Sequence, residues 1–222
     1  MRPKPLHLWI LALVALVICQ TQAAASQSGD AAIGKFATER TDPGEQQPPN
    51  ALLQFVLGRL QTDDIQQLNE CIEDAELKKG DYAPLFRAVK FKADGGRIEW
   101  FLRPARNPYC DALYGAHLFR YFWIEELRDD AQPRFRLLFE NGGDFFTVYA
   151  HKSHGLHDIE ATGCTASECR SARMSFTGRL YKPAACYCEV PGDDNSFHRF
   201  KRKCGTDFRD DQSSGFARSC RK

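Results

Sequence analysis

Apolar positions change their rhythm along the chain. Leu53, Val56, Leu57 and Leu60 recur at helical spacing, with Leu52 and Phe55 beside them. Asn50 stands where a helix cap is wanted, directly after Pro48-Pro49. Ile65, Leu68 and Ile72 form a second stripe with Cys71 beside it, and Asp63 with Gln66 has the form of a capping box. Gly80 is a suitable stop. The pattern predicts two short helices over about 51–77, their stripes explained by core packing or by a partner groove.

From residue 84 the period shortens to two. Phe86, Val89 and Phe91 precede an Asp94-Gly95 turn signal, and Ile98, Trp100 and Leu102 alternate after it. Further strands are predicted at 118–127, 135–139 and 145–150, with Asn141-Gly142-Gly143 as a turn. Shorter ones are predicted at 158–161, 172–176 and 180–185. Tyr121 and Trp123 fall on one face and Phe122 on the other, which suits a central strand buried on both sides or one aromatic face open to a sugar or peptide. The expected fold is α+β: two short N-terminal helices, then a mainly antiparallel β domain of about seven or eight strands, disulfide-stabilised.

The ends of the chain read differently. Arg2 and Lys4, the apolar run Leu8 to Cys19 and Ala23-Ala24-Ala25 have the three-part form of a secretory signal peptide over 1–25. That run is too short to span a bilayer, which takes about 20 residues. Residues 26–49 are rich in Gly, Ser, Gln, Pro and charge and read as a flexible linker. The helical segment takes 50–80 and the β domain 81–190. The remainder, 191–222, is a basic tail in need of cysteine staples, since few apolar residues could hold it.

Charge alters the picture only slightly. The 222 residues carry 30 Lys+Arg and 29 Asp+Glu; cleavage after residue 25 removes two basic residues and no acidic one, leaving a net charge of −1. That balance argues against nucleic acid as a partner. The distribution is polarised: ten acidic against five basic residues from Ser26 to Gly80, and eight basic against three acidic from Arg199 onward. The two ends could neutralise each other, or the tail could meet an acidic surface.

Eight cysteines remain once Cys19 is removed: Cys71, Cys110, Cys164, Cys169, Cys186, Cys188, Cys204 and Cys220. An even count in an exported chain points to disulfides, with 105 pairings open if all are bonded. Cys164 and Cys169 could close a local loop, ligate a metal or form a redox pair; export favours the loop. Cys186 and Cys188 project to one face of a strand, so each is expected to have its own partner. Cys204 and Cys220 would tie the tail to each other or back to that pair. Cys71 would fasten the helices to the sheet, with Cys110 its candidate partner.

His151, His154 and His157 are the sharpest metal candidates, because imidazole is a zinc ligand and Cys164 and Cys169 follow. On one continuous strand His151 and His157 would point one way and His154 the other; only a loop could gather all three. Exposed or strand-edge histidines are the plainer reading. The carboxylate doublets at 125–126, 129–130, 193–194 and 210–211 could form a catalytic pair only by converging across a cleft. The chain has no Gly-x-Ser-x-Gly elbow, Walker loop, dinucleotide fingerprint or His-Glu-x-x-His. No cofactor is implied and no catalytic residue is assigned.

The stretch 141–186 resembles a pattern in uncharacterised exported bacterial proteins. There a strand leads to a Gly-Leu-x-Asp-Ile element, then to a strand carrying an aromatic-x-Gly turn, then to a Tyr strand. Gly155, Leu156, Asp158, Ile159, Phe176, Gly178 and Tyr181 match it. Thr177 stands where Asp is usual, which weakens the analogy to calcium-binding propeller repeats. Residues 107–121 resemble the Cys-containing segment upstream, with Gly115 or Ala116 near the place of its second Cys. The resemblance covers about a third of the chain. It implies an exported β-rich domain in a bacterial envelope setting, and it carries no activity.

The expected function is therefore that of an exported binding protein, periplasmic or secreted. Its partner would be an unidentified protein or envelope ligand, with no stable membrane span after signal cleavage. The alternatives are a hydrolase or metal-dependent enzyme centred on His151 to His157, and an inhibitor of a secreted hydrolase presenting the Cys164–Cys169 loop.

Overall fold

The computed structural model describes residues 31–42, 44–114, 118–127, 133–192, 197–204 and 220. The signal segment 1–25, the doublets at 129–130, 193–194 and 210–211, and most of the tail lie outside them. In chain order the elements are β1 (Ala32–Ala37), α1 (Asn50–Leu57), α2 (Thr62–Asp74), β2 (Phe86–Lys92), β3 (Ile98–Pro104), β4 (Phe119–Leu127), β5 (Arg134–Gly143), β6 (Phe145–Ser153), β7 (Leu156–Cys164), β8 (Cys169–Phe176), β9 (Tyr181–Pro191) and β10 (Phe197–Arg202). The strands form two antiparallel sheets, β1-β6-β7-β8-β9-β10 and β2-β3-β4-β5.

Alternation along β3 and β4 explains the layering. Phe101, Phe119, Tyr121 and Trp123 turn one way and meet Phe36, Phe146, Val148, Ile159 and Met174 of the larger sheet. Trp100, Leu102, Phe122 and Ile124 turn the other way and meet Leu52, Leu53, Val56, Leu68 and Ile72 of the helices. The four-stranded sheet is thus the middle of three layers. The apolar run 118–124, broken only by Arg120, follows from its having no solvent face. Phe101 stacks on Phe36 and Phe146, with ring centroids 4.1 and 4.7 Å away.

Several boundaries differ from those expected. Among the described residues ten strands stand where seven or eight were expected, and the helices are preceded by a strand. Residues 32–37, expected within a linker, pair with β6 from Ala32↔Tyr149 to Ala37↔Phe145. Phe36 is buried there. Arg103, itself buried, holds the chain beyond β1: it pairs with Glu45 at 2.8 Å, donates to the Ala37 carbonyl at 2.6 Å and also binds the Arg40 carbonyl. Burial raises the Glu45 pKa above the ordinary carboxylate range. Asn50 is the first helical residue rather than a cap. The α2 capping contact runs from the Gln61 N–H to Asp64, two residues earlier than Asp63 and Gln66 would place it. Part of the tail forms β10, paired along β9 from Phe197↔Pro191 to Arg202↔Cys186.

All eight cysteines are bonded, as Cys71–Cys110, Cys164–Cys169, Cys186–Cys204 and Cys188–Cys220. The first ties α2 to the loop before β4, the second closes the β7–β8 hairpin, and the last two tie β9 to the chain beyond it. Among the described residues no helix is long and apolar enough to cross a membrane.

Candidate functional site

The three histidines surround the β6–β7 hairpin. His154 and Gly155 form its tip with φ of 49° and 80°, a left-handed pair in which glycine is unstrained. The turn places His151 and His157 on neighbouring strands. They do not share a face, as one continuous strand would have required. His157 points between the sheets and is 3% exposed. His151 lies on the outer face of the larger sheet, its side chain 51% exposed. The candidate metal residues are therefore not brought together. Among the described residues no group of three or more His, Cys, Asp or Glu could hold a metal ion.

His157 belongs to a buried polar cluster. Its Nδ1 lies 2.5 Å from Glu99 Oε2, and its backbone N–H donates to the same oxygen at 3.3 Å. Trp123 Nε1 and the Tyr181 hydroxyl donate to Glu99 Oε1 at 3.1 and 3.3 Å. Tyr181 also meets the His157 carbonyl at 2.6 Å. Burial pushes the Tyr181 hydroxyl well above the usual phenol range, assisted by Glu99. Sequence pattern missed Glu99, because Ile98, Trp100 and Leu102 marked the other face as the buried one. Phe101, on the same face as Glu99, was the available signal that both sides are covered.

The same end of the molecule carries a charged junction. The Asp94 N–H donates to the Gly155 carbonyl at 3.0 Å, and Lys152 Nζ donates to Asp94 at 2.8 Å. The Lys152 ammonium holds the Asp94 carboxyl below its ordinary range. Glu125, 2% exposed, receives Arg97 Nε at 2.6 Å on one oxygen and Arg136 Nε at 2.9 Å on the other. Arg97 Nη1 reaches the His154 carbonyl at 3.0 Å. Glu126, the other half of that doublet, turns to the helical side and accepts from Trp100 Nε1 at 2.7 Å. The doublet therefore does not converge on one cleft.

On the outer face of the larger sheet, His151 Nδ1 lies 2.9 Å from Asp158, and Arg173 Nε lies 3.7 Å from the same carboxylate. Glu160 receives the Tyr149 hydroxyl at 3.1 Å and Arg199 Nη2 at 2.7 Å. Arg173 lies over the Tyr149 ring and Arg199 over the Tyr187 ring, at 4.2 and 4.1 Å. These flat stacks bury Asp158 and Glu160 to 3% and 4% exposure on a face that otherwise meets solvent. Burial, then the Glu160 charge, pushes the Tyr149 hydroxyl up to about 12.

The Cys164–Cys169 loop exposes Thr165, Ala166 and Ser167. Thr165 N–H donates to the Glu168 carbonyl at 2.8 Å, and Glu168 turns inward to accept from the Cys220 N–H at 2.8 Å. Comparisons with protein-family models, with curated proteins and with solved structures find no match.

Proposed function

We propose that this chain is an exported, disulfide-held binding protein of the bacterial envelope or its surroundings, with no catalytic centre of its own. The observation that carries the reading is the pairing of every cysteine beyond residue 25. Four bridges distributed from α2 to Cys220 suit an oxidising compartment. The dispersal of His151, His154 and His157 also supports it, since two of them already serve separate carboxylates on opposite faces. The binding surfaces are the solvent-facing parts that are rigid: the outer face of the larger sheet and the Arg97–Arg136 end.

The test is intact mass of the protein taken from its exported fraction, before and after reduction. The expected result is a chain starting at Ser26 that gains about 8 Da on reduction, two hydrogens for each bond broken. Free thiols on a chain retaining residues 1–25 overturn the reading. So does hydrolase turnover that disappears in His151→Ala, because a binding scaffold has no turnover to lose.

A further inference from the structure

We propose that Arg97 and Arg136 together form a receptor for a tetrahedral oxyanion, a phosphate or sulfate group. This deepens the binding-protein reading and rests on it.

Two guanidinium groups share one buried carboxylate, so the junction keeps one positive charge. One arginine would already neutralise that carboxylate. Arg97 uses Nε on Glu125 and Nη1 on the His154 carbonyl, while Arg136 uses Nε and Nη2 on Glu125. Arg97 Nη2 and Arg136 Nη1 have no partner among the described residues. Both side chains reach solvent, at 32% and 42% exposure.

The pair is held in place from several elements. Arg97 leads into β3, Arg136 lies on β5 and Glu125 on β4 between them, in register with Glu99 and Arg136. Both guanidinium carbons lie against the Phe176 ring, 5.9 and 5.7 Å from its centroid. Phe176 is 2% exposed and backs the site with an apolar wall. Guanidinium N–H groups fixed in advance match the oxygen edges of phosphate and sulfate, and little side-chain entropy remains to be lost on binding.

The surrounding charge favours an anion. Lys152 and Asp94 neutralise each other. Glu126 is spent on Trp100, and Glu99 is enclosed with His157. The β8–β9 turn adds exposed Arg179 after Gly178, where a Cβ would lie 3.7 Å from His154 Nδ1. A small anion would therefore meet Arg97 and Arg136 with no unpaired carboxylate among these neighbours.

The experiment is calorimetric titration of the oxidised full chain with inorganic phosphate, sulfate and glucose 1-phosphate, against chloride at matched ionic strength to hold screening constant. Saturable binding of phosphate and sulfate is expected in the wild type, weakened at least tenfold in Arg136→Gln and unchanged in Arg59→Gln. Arg136→Lys keeps the charge but lacks the forked donors, and it should also weaken binding if the glutamine variant fails to fold. Tighter binding of the monoester would place the oxyanion on a larger molecule; equal binding would make the free ion the ligand. A response that chloride reproduces, or one identical in wild type and both Arg136 variants, overturns the proposal. Absence of phosphate and sulfate binding by a fully oxidised exported chain defeats this inference alone, whereas free thiols defeat the binding-scaffold reading.

Discussion

Glu99 shows how much one residue organises. Its carboxylate accepts from the His157 ring and backbone, from Trp123 and from Tyr181, joining four strands of two sheets. Glu99→Ala removes the acceptor of the His157 ring and backbone N–H, each worth about 1–3 kcal/mol when unsatisfied, while Trp123 keeps the Tyr181 hydroxyl and Tyr181 keeps the His157 carbonyl. A loss of about 3 kcal/mol or more is expected in chemical denaturation. His151→Ala removes a half-exposed ring and leaves the buried Asp158 with Arg173, so its cost should be smaller, about 1 kcal/mol. Near-equal losses would contradict the assignment of inner and outer histidines. The tyrosines supply a pH dependence. Burial raises Tyr121, Tyr149 and Tyr181 above the phenol value of 10. The stability they contribute is complete below pH 10 and is lost as pH rises through the folded values. Ultraviolet titration should show Tyr149 ionising near 12, with Tyr121 and Tyr181 silent until the chain unfolds.

At the scale of elements, bridges differ in what they hold. Cys71–Cys110 spans 39 residues and fixes α2, whereas Cys164–Cys169 spans five within one hairpin. The chain-entropy relation gives about 4 kcal/mol for the first and about 2 kcal/mol for the second. The double serine variant at 71 and 110 should therefore melt well below that at 164 and 169. Arg103→Ala should cost about 3–5 kcal/mol, because it leaves Glu45 buried without its cation. Both helices were legible because their stripes face a single wall. So were β2 to β9 in outline, from alternation and turn residues. Expecting separate partners for Cys186 and Cys188 needed only strand geometry. β1 was not legible: Ile33 is 48% exposed at a register shift, Ala32, Gly34 and Ala37 are small, and Phe36 alone is buried. β10 (FHRFKR) is half basic, with its two phenylalanines three apart rather than alternating, and declares itself only by pairing with β9. The Arg97–Glu125–Arg136 junction joins residues distant in sequence, on two strands and the turn before a third, so spacing could not announce it.

The whole molecule carries its solvent-facing charged and aromatic side chains at the edges of a closed stack. The middle sheet offers no free face, and the helices cover one side of it. Function has room on the outer face of the larger sheet and at the hairpin ends. Arg199 shows how the polarised ends of the chain are used within the described residues: this cation of the basic tail pairs with Glu160 and Glu189 of the sheet rather than with the acidic helical segment.

The two terminal strands close opposite edges of that larger sheet, and they do so on different schedules. β10 joins β9, its neighbour along the chain, and can zip up locally. β1 has no partner until β6, more than a hundred residues later, exists. As the chain emerges from its N-terminus, the first strand made is among the last that can settle. Phe36 can meet Phe91 and Phe101 earlier, but the β1 ladder itself needs a loop of about a hundred residues to close, which disfavours early pairing at this edge.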